Sequence, residues 1–267
     1  MIFFNIVQFF KQKTTMQTPK ISIITVVYNG MEYIEKTILS VINQDYENKE
    51  YIIVDGKSTD STLEIINKYS SKITKIISEK DFGLYDAMNK GLKNSTGDFV
   101  IFINCGDSFF SDTTLKDIFF DTNKNYLDYG VIYGDTSITD SLGNILHSRR
   151  HRPPEKLKYR DFLKGMLVCH QSFFARRDLT EPYNLIYKYS ADYDWCLNVL
   201  KKSENNFNTN QIVSLFLEGG RTAKTIAPGL KERYKIMCKH FGFFKATFWN
   251  MVLSVKFLWW RLFHKWF

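Results

Sequence analysis

Acids and amides recur at four points where an apolar run of the chain gives way to a turn: Asn29, Asp55 with Asp60, Glu79 with Asp81, and Asn104 with Asp107. Such a cluster suits a sugar diphosphate, whose base and ribose take hydrogen bonds while a divalent cation bridges carboxylate and phosphate. The run from Ile101 ends in Asn104-Cys105-Gly106-Asp107. A hard oxygen ligand at a rigid strand end, with little bulk beside it, is what a metal-diphosphate site needs, so Asp107 is the candidate ligand for Mg2+ or Mn2+. Taken one at a time these acids are equally turn residues or helix caps, Asp60 and Asp112 above all.

The elements that must position them alternate. Ile21 to Val27 is short, β-branched and nearly all apolar, as a strand covered on both faces reads, and Tyr28-Asn29-Gly30 ends it. Apolar residues at helical spacing follow over 32 to 43, then a strand at Tyr51 to Val54. The pattern repeats with a helix over Thr62 to Tyr69, a strand at Ile73 to Ile77, a helix over Tyr85 to Lys93 and a strand at Phe99 to Asn104. This predicts an α/β fold with a mostly parallel sheet and helices on both faces, whose ligands gather beyond the carboxyl ends of the strands. From about residue 131 the regularity fades into a strand at Val131 to Tyr133, a hairpin through Asp140 to Asn144 and a basic stretch from His147 to Arg152. Further elements are expected at Phe162 to Cys169, Gln171 to Ala175 and Asp192 to Lys201.

A chain of 267 residues suits one large domain with an appendage. Its 36 Lys and Arg exceed the 28 Asp and Glu by 8, which favours anionic partners. Part of that surplus is terminal, since no acid follows Glu232. Cys105, Cys169, Cys196 and Cys238 lack metal-ligand or disulfide-framework spacing, so a reducing cytosol is expected. Residues 1 to 10 are apolar, but the lysines come after the run and no cleavage site is evident, so no signal peptide is read. Met16 is an alternative start.

The strings ISIITVVYNG from Ile21, YIIVDGKSTDST from Tyr51, EKDFGLYDAMNKGL from Glu79 and GDFVIFINCGD from Gly97 resemble, in order and spacing, successive blocks of the family 2 glycosyltransferases. HQSFFAR from His170 and SADYDW from Ser190 resemble the family's acceptor-side blocks, especially in short bacterial enzymes of surface polysaccharide synthesis. The resemblance covers about residues 20 to 225.

It implies a GT-A fold and an inverting transfer from a nucleoside-diphosphate sugar, UDP-sugar favoured, with Mg2+ or Mn2+. The donor-binding set it implies is Val27, Asn29, Asp55, Asp81, Asn89, Lys90 and Asn104, with Asp55 on the base or ribose and Asp107 on the metal. Arg221, in a Gly-Gly-Arg-Thr loop, is implied near the diphosphate. Two departures stand out in the strand-end motif, where Asn104 replaces the first Asp and Gly106 a middle one. A third is Gly56, where many relatives carry a second Asp, and it leaves the base preference open. The family's catalytic base falls on Asp192, which would take the acceptor hydroxyl's proton opposite the leaving nucleotide. Asp194 is the reserve, although two residues along a helix turn it about 200° away. His170 and Gln171 join it on the acceptor side.

Arg149, Arg150 and Arg152 read either as a solvated basic loop or as a receiver for an anionic acceptor. Residues 241 to 267 interleave Phe and Trp with cations, which favours a membrane interface, although the helical wheel is imperfect. The expected layout is an N-terminal appendage over 1–19, a catalytic domain over 20–230 and a membrane-interface tail over 231–267. The expected acceptor is a glycan, lipid-linked to explain the tail, and the expected location is cytoplasmic on the inner face of the membrane, with no nucleic acid bound. The QxxRW signature of processive synthases is absent, which favours addition of a single sugar. Two alternatives remain. A nucleotidyltransferase would need a glycine-rich phosphate loop that Tyr28-Asn29-Gly30 does not supply. A basic membrane- or nucleic-acid-binding module would show salt-sensitive DNA binding.

Overall fold

Every residue of β1 (Ile21–Val27) is buried, and its side chains divide by parity between two cores. Ile21, Ile23 and Val27 pack into one with Ile53 and Ile101, whereas Ile24 and Val26 pack into the other with Ile52 and Val54. Period-two alternation with both faces apolar is the mark of a strand sandwiched between helical layers. The computed structural model describes residues 18–121, 123–219 and 226–263.

Strand β1 pairs in parallel with β2 (Lys49–Asp55) from Ile21↔Lys49 to Val27↔Asp55, and with β4 (Phe99–Phe102) on its other side. Strand β3 (Lys75–Ser78) extends the parallel group beyond β2. These four are the expected strands, and their carboxyl ends share one edge. The helices are α1 (Ile34–Ile42), α2 (Thr62–Lys68) and α3 (Leu84–Asn94), with a short α4 (Thr114–Phe119) farther on. Buried Ile34, Ile38 and Val41 line the inner face of α1, at the spacing that predicted it.

Past β4 the sheet becomes mixed, taking in β5 (Ser108–Phe109), β6 (Val131–Thr139), β8 (Phe173–Arg176) and β9 (Asn206–Leu217) in the order β3-β2-β1-β4-β8-β6-β9-β5. Strand β8 (Phe173–Arg176) is antiparallel to β4 and to β6 (Val131–Thr139), which forms the expected hairpin with β7 (Ile145–Ser148). Two strands depart from expectation. β6 runs six residues past Tyr133 through polar letters, and β9 (Asn206–Leu217), parallel to β6, was not anticipated. Buried hydroxyls satisfy one another there: Thr136 Oγ1 lies 2.7 Å from Ser172 Oγ, which lies 2.7 Å from Ser214 Oγ. The segment expected at Phe162 to Cys169 is a 3-10 turn over Tyr159–Lys164 followed by loop.

Helix α5 (Ala191–Lys202) packs against α6 (Ile226–Phe241), and α6 in turn against α7 (Phe243–Phe263). Ile236, Met237 and Ala246 are buried in the same core as α3 and α5. Helix α6 and the start of α7, which lie beyond the expected boundary at residue 230, thus supply apolar side chains to that core. The four cysteines are free.

Candidate active site

The carboxyl ends of β1 and β4 open into a cleft of about 730 Å³, lined among others by Val27, Asn29, Asp81, Asn104, Asp107, His170, Gln171 and Asp192. The cleft thus brings together the acid at the strand end and the acid at the head of α5.

Gly106, at φ 98°, turns the chain after Asn104 in a conformation that favours glycine and aims Asp107 back under the sheet. The Asp107 carboxylate accepts hydrogen bonds from Gln171 Nε2 at 2.8 Å and from the Leu217 amide at 3.2 Å. It is 5% exposed, and burial raises its pKa to about 7 against the pull of those two donors. Beside it, Asn104 Oδ1 is buried with no hydrogen-bond partner.

Asn104 directs its amide nitrogen to His170 Nε2, 3.2 Å away. In this orientation the amide can only donate, so Nε2 accepts and the ring proton sits on Nδ1. Nδ1 lies 3.6 Å from Asp192 Oδ2, while Asp192 Oδ1 accepts from the Tyr85 hydroxyl at 3.1 Å. Burial holds the His170 pKa below its ordinary value; Asp192 opposes this and Arg149 reinforces it. Burial and the Asp192 carboxylate both push the Tyr85 phenol up, so it stays a donor. Asp192 occupies the first turn of α5.

On the donor side, Asn29 at φ 49° ties two loops together: its amide donates to Ser58 Oγ at 2.8 Å and its Oδ1 accepts from the Thr59 amide at 2.8 Å. Asp81 Oδ1 accepts from the Gly83 amide at 2.9 Å, and Asp81 Oδ2 lies against Gly56, where a Cβ would collide with it. Gly56 therefore leaves room for the carboxylate of Asp81.

Several anticipated residues face elsewhere. Asp55 is fully buried and holds its own loop, accepting from Ser78 Oγ at 2.6 Å and from the Ser58 amide at 3.2 Å. Asn89 is closed on the Tyr183 backbone, donating to its carbonyl and accepting from its amide. Lys90 pairs with Glu79 at 3.0 Å and Asp86 at 3.5 Å. None of the three lines the cleft. Asp194, expected on the acceptor side, also faces elsewhere: its carboxylate is buried against α6, accepting from His240 Nε2 at 2.8 Å and Lys239 Nζ at 3.2 Å, because the helix turns it away from Asp192. Arg221 lies outside the described residues.

Tyr85, Lys188 and Arg233 line the cleft without having been anticipated, and Arg149 joins them from the basic stretch. Tyr85 reads in sequence as one more apolar position of its helix, and Arg233 as part of the tail's charge.

Glycosyl transferase family 2 is the family whose model matches this chain, over residues 22–183. The chain is a family 2 glycosyltransferase. An Escherichia coli relative, UDP-Glc:alpha-D-GlcNAc-diphosphoundecaprenol beta-1,3-glucosyltransferase WfaP, is 30% identical over 235 residues, which is 82% of this chain and 90% of that one. Among solved structures, residues 1–349 of S. aureus TarS in complex with UDP-GlcNAc match with a TM-score of 0.63 at 17% identity, covering 92% of this transferase and 74% of that chain. A mannosyltransferase from Pyrobaculum calidifontis in complex with GDP-Man and Mn2+ matches with a TM-score of 0.58 at 13% identity, covering 95% and 82%. These likenesses identify the transferase's fold as GT-A.

Residues able to hold a divalent cation in this transferase are few. No group of three His, Cys, Asp or Glu forms a metal cluster among the described residues. Mg2+ in phosphate chemistry is commonly held by one or two carboxylates together with substrate oxygens and water. Asp107 and the unpartnered Asn104 Oδ1 fit that lean donor set.

Proposed function

We propose that this transferase moves a sugar from a nucleoside-diphosphate donor, UDP-linked by preference, to a hydroxyl of a lipid-linked glycan, with inversion at the anomeric carbon. The observation that carries this reading is that Asp107 and Asp192 line one cleft and approach each other through the adjacent pair His170 and Gln171. The donor lies along the strand ends, with its base and ribose over the Asn29 and Asp81 loops. Asp107 and Asn104 Oδ1 would hold a divalent cation, which when bound neutralises charge on the leaving diphosphate. Asp192 accepts the proton of the incoming hydroxyl as the new glycosidic bond forms, and attack from the face opposite the nucleotide inverts the centre. Tyr85 and His170 position Asp192 through its two carboxylate oxygens. The donor preference and the lipid-linked acceptor are supported by the WfaP relative's name and by the UDP-GlcNAc complex of the TarS fold.

No helix among the described residues is long and apolar enough to cross a membrane. Peripheral attachment at the inner face is supported by α7, where Phe244, Phe248, Met251 and Val255 are exposed at a spacing that forms one stripe. Flanking Lys245 and Lys256 are exposed too and suit anionic headgroups. Screening sugar nucleotides for thermal stabilisation with and without Mn2+ tests the donor reading. Stabilisation by a UDP-sugar that grows with Mn2+ is expected, and no response to any sugar nucleotide would refute it.

A further inference from the structure

Arg149 and Arg233 reach the cleft from different parts of the chain, and no carboxylate among the described residues pairs with either. Arg149 follows β7 and donates to the carbonyls of Met166 at 2.8 Å and Leu167 at 3.2 Å. Arg233, in α6, lies over the Tyr193 ring at 5.9 Å. Both are half-buried. Taking a charge out of water without a counter-charge is costly, so such positions are filled when a ligand supplies the opposite sign.

The two guanidinium groups line the same cleft as Asp192. Burial first, and then Arg149, Arg150 and Arg233 together, hold the His151 pKa below its ordinary value. Arg233 also acts on Tyr85, the donor to Asp192, and Arg149 acts on His170 on the base's other oxygen. Lys188, three residues before α5, lines the same cleft and is exposed.

We propose that Arg149, Arg233 and Lys188 form a diphosphate-binding subsite on the acceptor side of the cleft, next to Asp192. A guanidinium presents paired N–H donors that match phosphate oxygens, and two of them with an ammonium suit the linked phosphates joining an acceptor sugar to its lipid carrier. The subsite lets the acceptor be held by its anion while its hydroxyl meets Asp192. It deepens the functional reading above and rests on it for the direction of transfer.

Inorganic pyrophosphate is the probe, titrated by calorimetry into protein already saturated with UDP. The wild type binds pyrophosphate without releasing UDP, and R233Q and R149Q each weaken that binding at least tenfold while keeping their UDP affinity and their thermal unfolding profile. Among the described residues Arg233 donates to no carbonyl, so R233Q is the variant least exposed to a folding artefact. Pyrophosphate that binds only by displacing UDP, variants that bind it as the wild type does, or inorganic phosphate that binds as tightly, each overturn the subsite. Failure of UDP itself to bind strikes the donor reading instead, and the dependence of pyrophosphate binding on the two arginines then still decides this one.

Discussion

His170 Nδ1 lies 3.6 Å from Asp192 Oδ2, while its Nε2 faces the Asn104 amide nitrogen at 3.2 Å. One neutral ring therefore joins a strand-end residue to the proposed base and presents its N–H to the carboxylate. The substitution of Asn for the family's first Asp gains a physical meaning from this. A carboxylate at 104 would accept from Nε2–H and leave a bare Nδ1 lone pair facing Asp192.

The first prediction concerns that ring. H170Q should lower kcat about 10- to 100-fold with little change in donor KM, the size expected when a positioned catalytic acid–base group loses its orientation. Nitrogen NMR of the histidines should find His170 in the Nδ1-protonated tautomer, and N104D should move its proton to Nε2 or charge the ring. An Nε2-protonated His170 in the wild type would contradict the assignment.

The second concerns Asp107, whose pKa burial raises to about 7. A carboxyl raised in the fold contributes stability at low pH that is lost as the pH climbs through the folded value, here between about 4 and 7. D107N should accordingly raise Tm at pH 8 without added metal, by on the order of 5 °C, while weakening Mn2+-dependent donor binding. Wild-type donor affinity should fall as the pH drops below about 7, because the protonated acid loses its pull on a cation. Calorimetry with and without chelator reads both effects, and unchanged donor affinity in D107N would remove Asp107 from the metal role.

The parallel half of the fold was legible because Ile21–Val27, Lys49–Asp55 and Phe99–Phe102 are covered on both faces and so read as apolar runs. β9 and the far part of β6 were not. Their pairing slips register twice near Asp135, and their burial rests on hydroxyl pairs such as Ser172 with Ser214, which carry no apolar signature. At the site, Asn29, Asp81, Asn104, Asp107, His170, Gln171 and Asp192 share the cleft as the motif order suggested. Asp55, Asn89 and Lys90 sit in the same motifs but serve their own loops and helix, and spacing alone does not distinguish a residue beside a cleft from one facing it. Arg233 was hidden because it reads as part of the charge of a membrane-interface tail until the apolar residues beside it, Ile236 and Met237, are seen to be buried.

The third prediction is structural. Asp194 and His240 are nearly inaccessible and 2.8 Å apart, so H240A removes the shorter of the two ionic contacts of a buried carboxylate, leaving Lys239 at 3.2 Å, and should cost about 1 to 3 kcal/mol. Burial pushes Asp194 up, but the hydrogen bonds from His240 and Lys239 outweigh it and leave the pKa lowered. Its contribution is therefore present above its ordinary value of 3.8 and lost as the pH falls through the lower folded value. Chemical denaturation at pH 7 checks the first point; an H240A protein as stable as the wild type would show that α6 is held by packing alone.

The fourth addresses α7. Replacing Phe244 and Phe248 by Ser should reduce pelleting with anionic vesicles severalfold without altering unfolding, since both rings are exposed. Equal pelleting would assign the apolar stripe to a protein partner.

The central claim is that Asp192 deprotonates an acceptor within a cleft whose donor side it does not touch. Comparing D192N with the wild type, with donor affinity by calorimetry and sugar transfer by product formation, tests it most directly. Transfer should fall by about 100-fold or more, within the range for loss of a general base, with donor affinity within twofold of wild type. Transfer at the wild-type rate, or donor binding lost along with it, would contradict the account.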